Sequence, residues 1–314
     1  MSEICQTKKT IYTTFEFTDI AGLVKGASKG EGLGNQFLSN IRLTDAICHV
    51  VRCFDDADIT HVEGNVDPIR DIEIINLELI MADLQTVENR LSKIERKAMT
   101  NKDKEAMAEV AVLKKVQEAL EAGKPARSVD LDKDELFLMK AFSLLTLKPM
   151  IYIANMSDME IADPNSNPYY LKVKEFAEAE NNQVVPVCAK IEEELSGLDK
   201  EEKLEFLQEL GIPESGLDKV IKAAYKILDL CTYFTAGVQE CRAWTFRKGM
   251  LAPQCAGIIH TDFEKGFIRA ECFKYTDIDE LGSEQAVKED GKLRLEGKDY
   301  EVQDGDVLHF RFNV

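Results

Sequence analysis

The sequence predicts an α/β protein in which a parallel sheet is interrupted by a long pair of helices and followed by a smaller β-rich domain. Three observations predict this fold class. Strand-like apolar runs alternate with helical patterns over residues 45–228, which is typical of parallel sheets. Two long apolar stripes at helical spacing lie within this region and indicate a helical hairpin. From Cys231 onward, short β-like runs are separated by Gly and Asp turns.

Length and composition narrow the class of protein. The chain has 314 residues, enough for two domains, and its 45 % hydrophobic and 31 % charged residues are ordinary for a folded protein. A net charge of -18 disfavours nonspecific attraction to nucleic acid, although it is compatible with a local basic patch.

No apolar run reaches the roughly 20 residues that span a bilayer, and residues 1–10 lack a secretory apolar region. The eight cysteines include no C-x-x-C pair, which argues against a zinc site and a disulfide framework. We therefore expect a cytoplasmic protein with neither a membrane nor DNA as partner.

The first informative segment joins a predicted strand to a glycine-rich loop. Residues 12–17 (YTTFEF) are rich in β-formers and precede a D-x-x-G pattern at Asp19 and Gly22. The glycines that recur from Gly22 to Gly34 predict a loop that needs conformational freedom. A carboxylate at Asp19 can hold Mg²⁺ through water, and the Gly22 N–H can approach a γ-phosphate. An ordinary turn has the same pattern, so the residues alone leave both interpretations open.

The middle of the chain predicts buried strands separated by helices. Residues 45–54 (DAICHVVRCF) and 150–154 (MIYIA) are continuous apolar runs, and 184–187 is a shorter one. Helices are predicted at 35–43, 170–178, 201–210 and 217–228.

The helical hairpin is predicted from apolar residues that repeat every three or four positions. The first stripe runs over 84–98 and the second over 107–120, with polar turn residues at 100–103 between them. These stripes predict an antiparallel coiled-coil hairpin over about 72–125, whose apolar faces form its own core.

Residues 231–314 form the predicted second domain. Its β-like runs are 243–246, 257–260, 267–273, 300–302 and 307–312. Asp304-Gly305 predicts a tight turn between the last two runs. This domain is less acidic than the rest of the chain, so it is the less repulsive part for RNA.

A polar sequence follows the buried strand at 150–154. Asn155-Met156-Ser157-Asp158 stands where an open α/β sheet places ligand contacts, outside the carboxyl ends of its strands. Asn can bond both a loop backbone and a purine edge, and Asp accepts N–H donors. A strand-to-helix turn that uses Asn and Asp as caps is the alternative.

The sequence indicates no catalytic residue. Its four histidines are isolated, and it contains no nucleophilic triad or paired-carboxylate pattern. It also contains no G-x-x-x-x-G-K-[ST] phosphate-binding loop.

The sequence resembles the YchF / Obg-like ATPase family, within the Obg-related P-loop GTPases. The residues that carry the resemblance extend over the whole chain: 15–34 (FEFTDIAGLVKGASKGEGLG), 45–54, 152–158 (YIANMSD), 233–244 (YFTAGVQECRAW) and 302–314 (VQDGDVLHFRFNV). The resemblance implies a P-loop-type doubly wound sheet over 1–230 with the coiled-coil insertion, and a β-grasp TGS domain over 231–314. It further implies a ribosome-associated or translation-associated ATPase that prefers ATP over GTP, uses Mg²⁺, and contacts the ribosome or ribosomal RNA through the TGS domain.

The resemblance also implies roles for the D-x-x-G residues. Asp19 and Gly22 match the element that senses Mg²⁺, through water, and the γ-phosphate. Leu23 stands where many related GTPases carry a catalytic glutamine, and a leucine cannot orient water. The catalytic group is therefore not identified.

Base recognition is implied for residues of two later loops. Asn155 and the backbone of Met156 match base contacts, and Asp158 stands where the family commonly has Glu. Cys188-Ala189 resembles the last loop on the base side.

The start of the chain departs from the family pattern. Family members carry a strand, the phosphate-binding loop, a helix and the first switch before the strand that precedes D-x-x-G. We therefore expect an N-terminally truncated sheet with impaired phosphate binding, whether it arises from a fragmentary gene model, an alternative start or a shortened product. An interaction module that contacts the ribosome or proteins and no longer binds nucleotide is the alternative function.

Overall fold

The computed structural model describes residues 1–20, 33–101 and 103–313, which divide into two units. The central unit is Thr18–Ala224, and the C-terminal unit combines Met1–Phe17 with Tyr225–Val314. The helices and strands are, in chain order, β1 (Thr10–Ile11), α1 (Leu33–Leu43), β2 (Ile47–Arg52), α2 (Pro68–Asn101), α3 (Lys104–Glu121), α4 (Lys133–Lys140), β3 (Met150–Asn155), α5 (Pro168–Ala179), β4 (Gln183–Val187), α6 (Ala189–Ser196), α7 (Lys200–Glu209), α8 (Gly216–Ile227), β5 (Leu230–Thr235), β6 (Cys241–Arg247), α9 (Ala252–Ile259), α10 (Thr261–Lys265), β7 (Phe267–Lys274), α11 (Tyr275–Leu281), α12 (Glu284–Glu289), β8 (Arg294–Glu296) and β9 (Asp306–Phe312).

The central unit is built on a parallel sheet with the strand order β2-β3-β4. Met150, Ile151 and Tyr152 of β3 are all fully buried, so both faces of this strand are covered. This burial explains why the strands are continuous apolar runs rather than alternating ones. Among the described residues, no helix is both long and apolar enough to cross a membrane.

The two long predicted helices follow β2. The first is longer than predicted, because α2 begins at Pro68 rather than near residue 72. Asp103 caps the second helix, α3, since its carboxylate accepts hydrogen bonds from the amides of Glu105 and Ala106. Side chains of both helices share one buried cluster, which includes Val87, Leu91, Ile94, Val112, Leu113 and Val116.

Asp83 joins α2 to the segment that leads into β3. Its carboxylate is fully buried and accepts hydrogen bonds from the amides of Leu145, at 2.9 Å, and Thr146, at 2.7 Å. The Thr146 hydroxyl donates a third bond at 2.7 Å. Burial raises the pKa of Asp83, and the three hydrogen bonds act in the opposite direction. The start of β3 is thereby fixed to the long helix.

The C-terminal unit contains a six-stranded sheet with the order β1-β6-β5-β9-β7-β8. β5 and β6 form an antiparallel hairpin, and β9 lies between β5 and β7. The predicted turn at Asp304-Gly305 is present. Gly305 has a φ of 77°, which favours glycine, and Asp304 accepts a hydrogen bond from the Thr232 amide at 2.7 Å. Tyr233 is fully buried in the core of this unit, where its hydroxyl donates to the carbonyl of Cys255 at 2.9 Å.

Two strands predicted in this unit are wrong. Residues 257–260 were predicted as a strand, but 257–259 end helix α9 and His260 caps it. Ala252, Cys255 and Ala256 bury one face of α9 at helical spacing, so the apolar run belongs to a helix. Residues 300–302 form only an isolated bridge, between Leu251 and Glu301.

The predicted strand at 12–17 is also wrong. The strand near this position is β1, Thr10–Ile11, which pairs with β6 and ends before residue 12. Phe15 lies 6.1 Å from Tyr225 between ring centroids, and the Thr13 hydroxyl contacts that of Thr245. A strand needs a neighbour to pair with, and this segment packs within the C-terminal unit instead. Residues 1–17, included in the predicted 1–230 domain, therefore cluster with 225–314.

His49 lies on β2 with a ring nitrogen, Nδ1, that is buried without a hydrogen-bond partner. Its ring centroid is 5.6 Å from that of Tyr152, whose hydroxyl donates to Glu180 at 2.9 Å. Burial lowers the pKa of His49 to about 4; the charge of Asp71 opposes this shift and that of Arg127 adds to it. At neutral pH the imidazole is therefore uncharged.

We expect the free energy of unfolding to fall by about 2–4 kcal/mol, through His49 alone, as the pH drops from about 6.5 to about 4. In this window the unfolded chain takes up a proton on His49 that the folded chain does not. Urea denaturation of the wild type and of His49→Leu at several pH values measures the effect, because other groups titrate equally in both. Equal pH dependence in the two proteins would contradict the prediction.

Candidate functional site

Two loops meet at the carboxyl ends of the parallel strands. The β3 loop (residues 155–158, beginning with the last residue of β3) and the β4 loop (residues 188–190, ending with the first two residues of α6) lie at the ends of adjacent strands, at the same edge of the sheet. The side chain of Asn155 joins them, since its Oδ1 accepts a hydrogen bond from the Ala189 amide at 3.1 Å. The Asn155 carbonyl accepts a second bond, from the Cys53 amide at 2.8 Å, which ties the end of β2 to this edge. The structure thus brings the predicted residues of the two loops together.

Met156 and Cys188 form the buried side of these loops. Both side chains are almost inaccessible, at 2 % and 3 % exposed. The Met156 amide donates to the carbonyl of Val187 at 2.8 Å, and burial raises the pKa of the Cys188 thiol. Since their side chains point into the core, these residues can offer a ligand only backbone groups.

Asp158 forms an ion pair that sequence analysis missed. Its Oδ2 lies 2.6 Å from Nζ of Lys190, in the β4 loop. The hydrogen bond from Lys190 is the main cause that lowers the pKa of Asp158, and it raises the pKa of Lys190 in turn. The position of Lys190, directly after Cys188-Ala189, was the available signal, but no motif assigns a role to it.

Asn167 is a second residue that sequence analysis missed. It is 1 % exposed, and its amide group donates to the Cys53 carbonyl at 2.9 Å and to Glu160 Oε2 at 3.0 Å. The same Glu160 oxygen accepts a bond from the hydroxyl of Ser157, in the β3 loop, at 2.8 Å. Asn167 also caps α5 through the Tyr170 amide, and the Asn-Pro pair at the helix start was the signal for that role. The shape of the β3 loop therefore depends on Asn167.

The chain beyond β2 is held by Arg52. Its guanidinium donates to the carbonyls of Phe54 and Ile59, both at 3.0 Å, and stacks 4.8 Å from the centroid of the Phe54 ring. Tyr169 reaches the same segment and donates to Asp55 at 2.9 Å. These contacts hold the loop that follows β2 in a defined conformation.

The D-x-x-G element is only partly described. Asp19 is exposed, and Ile20 packs against the core of the central unit. Gly22, Leu23 and most of the predicted glycine-rich loop, as far as residue 32, lie outside the described residues. No group of three or more His, Cys, Asp or Glu side chains in the described part could hold a metal ion. Mg²⁺ at phosphate sites uses one or two carboxylates together with phosphates and water, so the single carboxylate of Asp19 fits that set.

Two family models match separate parts of the chain. One, described as a 50S ribosome-binding GTPase, matches residues 4–115. The other is the C-terminal model of YchF GTPases, described as a protein of unknown function, and it matches residues 230–313.

Similar proteins match over the whole chain. The Ribosome-binding ATPase YchF of Bacillus subtilis is 60 % identical over 100 % of this chain and 86 % of its own length. The Escherichia coli O157:H7 protein of the same name is 54 % identical, over 100 % of this chain and 85 % of its own length. The solved structure of the Schizosaccharomyces pombe YchF GTPase has a TM-score of 0.87 at 40 % identity, and covers 99 % of this chain and 83 % of that one. The region over which this chain matches these relatives therefore includes both the β3 loop and the β4 loop.

We expect Asn167→Ala to lower the free energy of unfolding by about 2–4 kcal/mol, because it removes a helix cap and leaves the buried Cys53 carbonyl and Tyr170 amide without their partner. Urea denaturation measures the loss. Asn165→Ala, an exposed position two residues earlier, is the matched control and should change stability little. Equal losses in both variants would show that the bonds of Asn167 are not important.

Proposed function

Because this chain belongs to the YchF family of ribosome-binding ATPases, we propose that it binds ATP in preference to GTP at the edge formed by the β3 and β4 loops. The observation that carries the proposal is the hydrogen bond between Asn155 Oδ1 and the Ala189 amide, which holds the two loops together. Loops at the carboxyl ends of neighbouring parallel strands are where open α/β sheets bind nucleotides.

Five residues of these loops contact the base or stand beside it. Asn155, which can donate and accept, and the backbone of Met156 contact the purine edge. Asp158 lies at the end of the β3 loop, and Cys188 and Ala189 close the other side of the base. The burial of Met156 and Cys188 supports a role for their backbone groups.

The phosphates face the D-x-x-G element. Asp19 would hold Mg²⁺ through water, and the exposure of its carboxylate supports this role. Mg²⁺, when bound with ATP, supplies neutralising charge to the phosphate oxygens. Gly22 lies outside the described residues, and its role here comes from the sequence alone: because glycine has no side chain, its N–H can approach a γ-phosphate closely. Leu23 cannot orient water, and no catalytic residue is assigned.

The relatives do not favour the alternative of an interaction module without nucleotide binding. Proteins named as ATPases match this chain over its entire length, at 54–60 % identity. The family relationship also supports the assignment of α2 and α3 to an antiparallel coiled-coil insertion over about 72–125. This insertion belongs to the nucleotide-binding domain predicted over 1–230, of which residues 1–17 cluster with the C-terminal unit.

The C-terminal unit contributes the ribosome contact, as a TGS domain with a β-grasp fold over 231–314. The strand order β6-β5-β9-β7-β8 supports this fold, as does the family match over 230–313. Arg269 and Arg311 stand directly opposite each other on β7 and β9. Glu271 pairs with Arg311 at 3.0 Å. Arg269 is exposed, so its guanidinium can contact an RNA phosphate. A ribosome-associated protein of this kind acts in the cytoplasm.

We expect Asn155→Ala to weaken ATP binding by about 1–3 kcal/mol, because the base loses a hydrogen-bonding partner and the β4 loop loses its tie. Titration of the full chain with fluorescent ATP and GTP analogues, in the presence of Mg²⁺, measures the dissociation constants. Asn89→Ala, exposed on α2, is the control that should leave them unchanged. An unchanged dissociation constant in Asn155→Ala would remove the site assignment.

We expect Arg269→Glu to reduce ribosome binding by about threefold or more, since it replaces a phosphate-binding charge with a repulsive one. Co-sedimentation with purified ribosomes at several salt concentrations measures binding. Lys298→Glu makes the same charge change at another exposed position of the C-terminal unit. If both variants bind equally, the contact does not involve Arg269.

A further inference from the structure

The β4 loop supplies a lysine, Lys190, to which the sequence analysis above assigns no role. Nζ of Lys190 lies 2.6 Å from Oδ2 of Asp158, so the last residues of the two loops are joined across the site. The side chains are 66 % and 40 % exposed, respectively, and a ligand at this edge can therefore reach both. Glu194 also acts on the Lys190 ammonium electrostatically, and the lysine stays charged.

The two purines differ in what they require from such a pair. The Watson–Crick edge of guanine offers the N1–H and N2–H donors, whereas adenine offers an acceptor at N1 and a donor at N6. An ionised carboxylate only accepts hydrogen bonds, so a free Asp158 would favour guanine. In this structure one oxygen of that carboxylate already accepts a charge-assisted bond from Lys190.

We propose that the Lys190–Asp158 ion pair is a specificity-determining element. Because Lys190 occupies the Asp158 carboxylate, the N–H donors of guanine bond to it less well, and adenine nucleotides are favoured. The inference rests on the proposed function, because it concerns the same nucleotide-binding edge. Exposed ion pairs contribute little, so we expect Lys190 to change the preference about fivefold rather than to determine it alone.

Lys190→Met tests this inference, because methionine keeps the length of the side chain and removes its charge. Equilibrium titrations of the full chain with fluorescent ATP and GTP analogues give both dissociation constants. We expect the constant for GTP to fall about threefold to tenfold and that for ATP to stay within about twofold. The effect should vanish in the Asp158→Asn background, where no carboxylate can be released.

Lys114→Met is the matched control. Lys114 pairs with Glu95 at 2.9 Å in α3 and α2, with side chains 58 % and 42 % exposed, close to the values of the Lys190 pair. Its removal changes the net charge equally but leaves the site intact. The preference of the wild type for ATP should also decrease as salt rises, since ions screen an exposed pair, and Lys190→Met should lack that dependence.

Each outcome decides between the inference and the proposed function. Wild-type chain that binds neither nucleotide would overturn both. Chain that binds ATP, but whose Lys190→Met variant changes both constants equally or neither, would overturn only the role of the ion pair. Equal shifts in Lys190→Met and Lys114→Met would also overturn it, because the effect would then be one of net charge on the phosphates.

Discussion

The parallel pairing of β3 with β2 and β4 is the constraint on which the candidate site depends. In a parallel sheet every strand ends at the same edge, so the loops that follow must emerge side by side however long the intervening segments are. Almost a hundred residues separate β2 from β3, yet the carbonyl of Asn155, at the end of β3, accepts a bond from Cys53. The two long helices can therefore be accommodated without displacing the site.

Buried polar groups fix the position of β3 more precisely than apolar packing could. Asp83 fixes the start of β3 to α2. Asn167 bonds Cys53, directly after β2, and Glu160, which in turn bonds Ser157 in the β3 loop. Apolar contacts are non-directional and tolerate small shifts, whereas a buried carboxylate or amide costs free energy unless its partners stay in place. These two side chains thus restrict the start of β3 and the loop that follows it, and they help to hold Asn155 in place.

Much of the fold could be predicted from sequence, because its signals are local. The apolar runs of β2, β3 and β4 and the stripes of α2 and α3 are long and periodic, and each is found within a few residues of its predicted bounds. The strand predicted at 257–260 is wrong because a short apolar run does not distinguish a strand from a buried helix such as α9. The strand predicted at 12–17 is wrong because pairing depends on a partner that local sequence does not specify.

The residues of the candidate site also fall into two groups, those that the local sequence indicates and those that it does not. Asn155, Met156 and Cys188 lie at the ends of strands in a recognisable pattern, and the structure brings them close together; their contact with a base stays a prediction. Lys190 and Asn167 act through partners 32 and 114 residues away, respectively, so sequence alone does not reveal them.

The central place of β9 also has a consequence for biosynthesis. All residues of the central unit have been translated once residue 224 has been made, but the sheet of the C-terminal unit lacks an inner strand until Asp306–Phe312 have been translated. The neighbour of β5 on its other side comes from this distant segment, so we expect the C-terminal unit to finish folding after the central unit during synthesis.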